Sequence, residues 1–310
     1  MEYFLLILGI TILVIGGEGL VRSAVGLNMK FKLSPLLIGT TVVSFGTSAP
    51  ELIVSVKAVL DGNSQIAVGN VIGSNVANIG LVLGITVLLM SMVIHKRKYI
   101  WSWSLMLLAS IMFFVFSLDN VISTFEGVIL LFGLFGFVWS SVRYRKKIFN
   151  ENDVIEGVND IKYSTKEILF YFIIGILGLS IGSSLLIDNA VIIAHDLGVS
   201  DFVIAISVVA LGTSLPELVT SVIAISKGHK SISIGNLLGS NIFNIFAVLG
   251  VASIIRPLEI DPFLLSIDLP IMIGFVVMVG LFMFFGRKMG VLEGLVLILA
   301  YIAYITHGFI

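Results

Sequence analysis

Long apolar runs alternate with short polar connections along almost the whole chain. Most of the runs approach or exceed the roughly 20 residues that a helix needs to cross a bilayer. Taken in order, the runs cover residues 3 to 26, 34 to 60, 66 to 93, 100 to 118, 121 to 141, 166 to 194, 201 to 226, 232 to 255, 262 to 285 and 289 to 308. This pattern predicts an all-α integral membrane protein with ten transmembrane helices.

One strongly polar segment, residues 142–165, separates the fifth run from the sixth. It contains a basic cluster followed by acidic residues: Arg143, Arg145, Lys146, Lys147, Glu151, Asp153, Glu156 and Asp160. The segment is too short to bury a core of its own. We therefore predict a linker between a first five-helix unit, residues 1–141, and a second five-helix unit, residues 166–310.

The composition agrees with a membrane protein and excludes several other classes. Hydrophobic residues make up 58% of the chain, charged residues 12%, and the mean hydropathy is +1.13. The net charge is -1, and the sequence contains no basic stripe that would bind nucleic-acid phosphates. Because the chain has no Cys, disulfides, thiolate nucleophiles and thiolate metal sites are excluded.

The basic residues are distributed unevenly over the two sides of the predicted helices. Sixteen of the eighteen Lys and Arg residues fall on one side, and the exceptions are Lys57 and Arg256. The positive-inside rule assigns the richer side to the cytoplasm. It predicts a cytoplasmic linker at 142–165 and both termini outside.

The chain contains an internal duplication with an offset of 166 residues. Between residues 39–84 and 205–250, 23 of 46 positions are identical. The identical polar pairs include Asn70/Asn236, Ser74/Ser240, Asn75/Asn241 and Asn78/Asn244. Because five helices is an odd number, the second copy would enter the membrane from the opposite side. Inverted repeats of this kind are typical of secondary transporters with a midplane site.

Each copy carries a proline inside an apolar run. Residues 46–51 read Gly-Thr-Ser-Ala-Pro-Glu, and residues 212–217 read Gly-Thr-Ser-Leu-Pro-Glu. Pro removes a backbone hydrogen bond and clashes with the preceding turn, so Pro50 and Pro216 should break the second and seventh helices. The freed carbonyls are tolerable at membrane depth only where they face protein or a wet cavity.

An acid follows each of these prolines, namely Glu51 and Glu217. Two ionised carboxylates near the midplane would repel each other unless protons or bound cations neutralised them. In each copy the next helix presents an amide, a hydroxyl and a second amide at a spacing of four, which places them on one face. These residues are Asn70, Ser74 and Asn78, and Asn236, Ser240 and Asn244. Such oxygen ligands suit calcium and, in smaller number, sodium.

The duplicated motifs Gly-Thr-Ser-x-Pro-Glu and Gly-Asn-x-x-Gly-Ser-Asn-x-x-Asn resemble the two alpha-repeats of the sodium/calcium exchanger family, within the cation/calcium antiporter superfamily. The ten-helix layout extends the likeness over the whole chain. The resemblance implies a secondary antiporter rather than an enzyme, with several sodium ions exchanged for one calcium ion through shared carboxylates. Its implied partners are these ions and the lipid bilayer, with no cofactor, nucleic acid or obligatory protein partner.

The resemblance also implies which residues bind the ions. Calcium would be held by Glu51 and Glu217 together with the backbone carbonyls of Thr47 and Thr213. The sodium sites would draw on Ser48, Ser74, Asn78, Ala210, Ser214, Ser240 and Asn244.

The counter-ion is left open by the sequence, and Asn244 is the position that bears on it most. Some microbial exchangers and the potassium-dependent branch carry Asp there, so Asn244 weakens the case for potassium co-transport. A calcium/proton antiporter stays an alternative because a buried Glu can titrate. A cation channel lined by paired acids and carbonyls is an alternative from another class.

Overall fold

The computed structural model describes residues 1–93, 96–143, 163–198, 210–286 and 288–307. These residues are almost entirely helical, as the apolar runs predict. The helices, with contiguous α- and π-helical segments joined, are α1 (Glu2–Phe31), α2 (Pro35–Thr47), α3 (Ala49–Leu60), α4 (Ser64–Leu89), α5 (Lys96–Phe116), α6 (Thr124–Arg143), α7 (Thr165–Asp196), α8 (Ala210–Thr213), α9 (Leu215–Ser226), α10 (Lys230–Ile255), α11 (Leu264–Phe285) and α12 (Val291–His307).

Within the described residues, seven helices are long and apolar enough to cross a membrane, or eight if the bent pair α2 and α3 forms one span. Two shorter apolar helices, α9 and Val291–Thr306 of α12, accompany them. This is a multi-pass integral membrane protein. The predicted seventh run is described only from residue 210 onward, and most of the predicted linker 142–165 lies outside the described residues.

Two short antiparallel strand pairs join the ends of helices that are distant in sequence. β1 (Met92–Val93) pairs with β4 (Lys288–Met289), and β2 (Val121–Ile122) pairs with β3 (Leu258–Glu259). The sequence analysis did not predict these strands, because two residues are too few to show the alternation that marks a strand. The pairs hold the connections after α4 and α11, and after α5 and α10, against each other.

The two longest helices, α1 and α7, pack antiparallel through glycines. A Cβ atom added to Gly16 would lie 2.5 Å from the Leu179 nitrogen and 3.0 Å from the Gly175 oxygen. One added to Gly182 would lie 2.5 Å from the Leu13 nitrogen and 2.9 Å from the Gly9 oxygen. Small residues let two helix backbones approach this closely within a membrane.

Glycines also bring α2 against α10 at the centre of the protein. A Cβ atom on Gly235 would lie 2.7 Å from the Leu36 oxygen, and one on Gly239 would lie 2.2 Å from Ser44 Oγ. Gly235 and Gly239 are therefore close-packing positions. No described atom lies within 4 Å of a Cβ atom built on Gly69 or Gly73, the equivalent positions of the first copy.

Both α4 and α10 contain a π-helical segment at the same place in the duplication. The segments are Asn78–Leu83 and Asn244–Leu249, so each begins at an asparagine that is a candidate ligand. The π-helix is rare and occurs mostly as short segments, frequently at functional sites. Two further π-helical segments, Gly39–Val43 in α2 and Leu264–Asp268 in α11, show that the feature is not confined to α4 and α10.

Candidate cation-binding site

The duplicated Thr-Ser-x-Pro-Glu segments interrupt their helices at the serine. Helices α2 and α3 meet at a 42° bend, where Ser48 has φ -85° and ψ 5°. Helices α8 and α9 are separated at Ser214, which has nearly the same backbone, φ -89° and ψ 2°. Pro50 and Pro216 occupy the first turn of the second helix in each pair, where a missing N–H costs little.

Each break places an acid in the first turn of a helix. Glu51 lies in the first turn of α3 and Glu217 in the first turn of α9, and both side chains are 0% exposed. The Ser48 hydroxyl, three residues before Glu51, reaches the Glu217 carboxylate at 3.4 Å, so the two acid-bearing helix starts lie near each other. A helix N-terminus favours negative charge, but two buried carboxylates still need compensation by cations or protons.

Residues of the first copy surround the acid of the second copy. The Ser48 hydroxyl donates a 3.4 Å hydrogen bond to Glu217 Oε1. The hydroxyls of Thr47 and Ser240 also face this carboxylate. Glu217 is therefore part of a site to which both copies contribute side chains.

Equivalent hydroxyls make equivalent contacts between the copies. Thr47 Oγ1 lies 3.1 Å from Ser240 Oγ, and Thr213 Oγ1 lies 3.4 Å from Ser74 Oγ. The offset of 166 residues converts the first pair into the second. Thr47 and Thr213, the two threonines among the candidate calcium ligands, therefore each lie beside a serine of the other copy. Both serines, Ser240 and Ser74, are candidate sodium ligands.

Asparagines form a second layer that positions these groups. Asn236 accepts from the Thr47 hydroxyl at 3.0 Å and donates to Ser221 Oγ at 3.2 Å. In the first copy, Asn70 donates to Ser55 Oγ at 2.9 Å. Sequence reasoning missed Ser55 and Ser221 as supports, although their identity in the two copies was a signal that could have found them.

Helices α4 and α10 meet through asparagines that lie at or just before the start of their π-helical segments. Asn244 Nδ2 donates to Asn75 Oδ1 at 3.1 Å, and Asn75 Nδ2 donates to the Asn241 carbonyl at 3.4 Å. The Asn244 amide nitrogen is thereby used in contact with α4, while its oxygen has no hydrogen-bond partner. That oxygen is available to a ligand.

Several buried oxygens at these positions lack a hydrogen-bond partner among the described residues. They are both carboxylate oxygens of Glu51, Oε2 of Glu217, Oδ1 of Asn78, Oγ of Ser214 and Oδ1 of Asn244. Buried polar atoms are normally paired, so a group of unpaired ones needs an explanation. Carboxylate, amide and hydroxyl oxygens together match the ligand preference of hard cations. Among the described residues, no three His, Cys, Asp or Glu side chains form a metal cluster.

The predicted ligands fall into three groups in the structure. Side-chain contacts join Ser48, Thr47 and Ser240 to the surroundings of Glu217, and join Ser74 to Thr213. The side chains of Glu51, Asn78 and Ser214 are buried and carry unpartnered oxygens. The last predicted ligand, Ala210, is the first residue of α8.

Comparisons with known proteins give a consistent result over nearly the whole chain. Residues 1–143 and 167–309 match the family model described as sodium/calcium exchanger protein. Sodium/calcium exchanger MaX1 of Methanosarcina acetivorans is 30% identical over an alignment of 347 positions. The alignment covers 98% of this chain and 97% of that protein. Inner membrane protein YrbG of Escherichia coli is 34% identical over 274 residues, which cover 87% and 84%.

The fold is also similar to a solved structure. The sodium-calcium exchanger NCX_Mj, soaked with zero Na+ and Ca2+, matches with a TM-score of 0.83 and 29% sequence identity. The match covers 99% of this chain and 98% of that chain.

Proposed function

This chain belongs to the sodium/calcium exchanger family of cation/calcium antiporters, whose members are transporters and not enzymes, and we propose that it exchanges sodium for calcium by alternating access at one shared carboxylate site. In this proposal the site lies near the membrane midplane, between the two copies of the duplicated segment. Calcium and sodium compete for it, and the gradient of one ion drives movement of the other.

The observation that carries the proposal is the set of unpartnered buried oxygens contributed by both copies. Because Glu51 and Glu217 are fully buried, an ionised pair requires two compensating positive charges. One calcium ion supplies them, and two sodium ions supply the same charge. This equivalence makes competition between the two ions a direct consequence of the site.

We assign the ligands as the family resemblance implies. Calcium binds Glu51, Glu217 and the carbonyls of Thr47 and Thr213 beside the two helix breaks. The sodium ions use the remaining oxygens, from Ser48, Ser74, Asn78, Ala210, Ser214, Ser240 and Asn244. The unpartnered oxygens of Asn78, Ser214 and Asn244 support their part in this assignment.

The proposed architecture is ten transmembrane helices in two inverted five-helix repeats, 1–141 and 166–310. The antiparallel packing of α1 on α7 supports it. Gly16 approaches Gly175 and Gly9 approaches Gly182, and the offset of 166 residues converts one contact into the other. Helices equivalent by duplication thus run in opposite directions. The charge distribution places both termini outside and the 142–165 linker in the cytoplasm.

Two alternatives differ from this proposal in what accompanies calcium. A calcium/proton antiporter would neutralise the same carboxylates with protons, and a cation channel would pass calcium without countertransport. The duplicated, two-sided construction of the site favours a carrier.

Calcium uptake into proteoliposomes distinguishes these functions. Vesicles are loaded with sodium, with potassium or with buffer at lower pH than outside, and uptake is followed after dilution. The proposal predicts uptake that requires internal sodium. Uptake that depends on the pH gradient and not on the sodium gradient would indicate a calcium/proton antiporter. Uptake that needs no counter-ion would indicate a channel.

A further inference from the structure

A cavity of about 520 Å³ lies between α1, α7 and the end of α9, and neither Glu51 nor Glu217 lines it. One part of its wall is charged and another part is apolar. The charged part consists of Glu18, Arg22 and Lys227. Glu18 and Arg22 lie on α1, and Lys227 directly follows α9. None of the three is a candidate ligand of the cation site described above.

The charged residues form a three-way contact with a net positive charge. Arg22 Nε lies 2.6 Å from Glu18 Oε1, and the Lys227 ammonium donates to the same oxygen. The Arg22 guanidinium carbon lies 5.7 Å from the centre of the Tyr171 ring. Two cations facing one carboxylate leave one positive charge. Because a guanidinium has five N–H donors and an ammonium has three, donors remain for a further anion.

The apolar part of the wall faces outward. Ile15 is 56% exposed and Phe170 is 59% exposed, and Val14 and Ile174 continue the same surface. In a multi-pass membrane protein, an exposed apolar surface of this kind meets lipid acyl chains. The cavity therefore opens toward the bilayer and not only toward water.

Arg22 and Lys227 lie at the membrane depth of the lipid headgroups. Arg22 lies twenty residues after Glu2 on α1, which is about 30 Å along the helix axis and equals the thickness of the hydrocarbon core. Lys227 follows directly after the last residue of α9, and its side chain is 39% exposed. Both cations thus lie at one edge of the apolar region, on the side that holds most of the Lys and Arg residues.

We infer that this cavity binds an anionic phospholipid of the adjoining leaflet, with its phosphate diester between Arg22 and Lys227 and an acyl chain along Ile15 and Ile174. The single unbalanced positive charge matches the single negative charge of phosphatidylglycerol. A zwitterionic phosphatidylcholine would bring its own cation toward Arg22 and Lys227, which disfavours it. Basic pockets between transmembrane helices are suited to such headgroups.

Glu18 gives the inference a distinguishing feature. Its carboxylate occupies donors of both cations, so it competes with the lipid phosphate for them. Neutralising Glu18 should strengthen lipid binding, whereas neutralising the two cations should weaken it. If the cluster had a purely structural role, neither change would strengthen lipid binding, because each would break the same charge contact.

Native mass spectrometry of the full-length protein in detergent tests the inference. Phosphatidylglycerol, phosphatidylcholine and inorganic phosphate are titrated separately into the wild type, the double variant Arg22→Gln/Lys227→Gln, Glu18→Gln and the control Lys166→Gln. Lys166 is exposed near the start of α7 and does not line the cavity. Size-exclusion profiles establish that each variant is folded.

We expect phosphatidylglycerol to bind the wild type at least about tenfold more tightly than phosphatidylcholine, a difference of about 1.4 kcal/mol. The double variant should lose this preference, Glu18→Gln should increase it, and Lys166→Gln should leave it unchanged. Equal binding of the two lipids, or weaker phosphatidylglycerol binding in Glu18→Gln, would overturn the inference. Binding of inorganic phosphate that displaces phosphatidylglycerol at equal concentration would identify a free phosphate site and overturn the lipid assignment.

Discussion

Ser48 donates a hydrogen bond to Glu217, whereas its equivalent, Ser214, makes none to Glu51. The distance from Ser48 Oγ to Glu217 Oε1 is 3.4 Å, and within the part of the chain that the structure describes neither the Ser214 hydroxyl oxygen nor either Glu51 carboxylate oxygen has a hydrogen-bond partner. The two halves of the site are therefore similar in composition and unequal in geometry. Among the described residues, both carboxylate oxygens of Glu51 are unpaired, whereas only Oε2 of Glu217 is.

Removing the Ser48 hydroxyl should impair the site directly. Hydrogen bonds to charged groups contribute about 1.5–3 kcal/mol, and this one is long, so we expect Ser48→Ala to weaken calcium binding about tenfold. Isothermal titration of the purified protein measures this. Ser110→Ala is the matched control, because its buried hydroxyl bonds only to the Met106 carbonyl. Equal affinities in the two variants would show that Ser48 does not support the site.

Asn244→Asp should change the ion requirement of transport. The substitution adds a third carboxylate beside Glu51 and Glu217, and one calcium ion would leave this set with an uncompensated negative charge. We expect exchange by the variant to be stimulated severalfold by a further monovalent cation such as potassium, while the wild type is unaffected. Calcium uptake with and without potassium measures the difference. A potassium-independent variant would argue that position 244 does not contact the ions.

Gly239→Ala should destabilise the centre of the fold. The added Cβ atom would lie 2.2 Å from Ser44 Oγ, which itself donates to the Gly39 and Asn236 carbonyls. Overpacking of this kind costs about 1–3 kcal/mol, so the thermal midpoint in detergent should fall by several degrees. Gly274→Ala serves as the control, since no described atom lies within 4 Å of its Cβ position. A midpoint that falls equally in both variants would exclude steric overlap as the cause.

His229 should make stability dependent on pH. Burial and the neighbouring Lys227 lower the pKa of His229 below 6.5, so the folded state favours the neutral imidazole. The unfolded chain binds the proton more readily, and stability is therefore lost as pH falls below about 6.5. The equivalent residue of the first copy is Asn63, and both precede a helix as its cap. His229→Asn should reduce the fall in thermal midpoint between pH 7 and pH 5; an unchanged fall would assign it to other groups.

The helical content and the pairing of the two motifs were predictable from the sequence. Apolar runs of membrane-spanning length identify most helices, and the offset of 166 residues pairs Glu51 with Glu217 before any coordinates are known. The oxygen-rich residues on α4 and α10 were predictable because a spacing of four places them on one face.

Other features depend on contacts that no local pattern records. The π-helical segments beginning at Asn78 and Asn244 have sequences compatible with ordinary α-helix. The inequality between Ser48 and Ser214 arises although both motifs read Thr-Ser-x-Pro-Glu. A spacing of four on one helix is compatible with the Glu18–Arg22 pair, but no spacing indicates the participation of Lys227, which lies 209 residues from Glu18.

In the proposed function, the two copies build one cation site and not one site each. Calcium binding to the purified protein, measured at equilibrium for the wild type, Glu51→Gln and Glu217→Gln, tests this most directly. We predict one calcium ion per chain in the wild type, displaced by sodium, and loss of binding of at least about a hundredfold in either variant, or about 2.7 kcal/mol. Two calcium ions per wild-type chain, with one retained in each variant, would contradict a shared site.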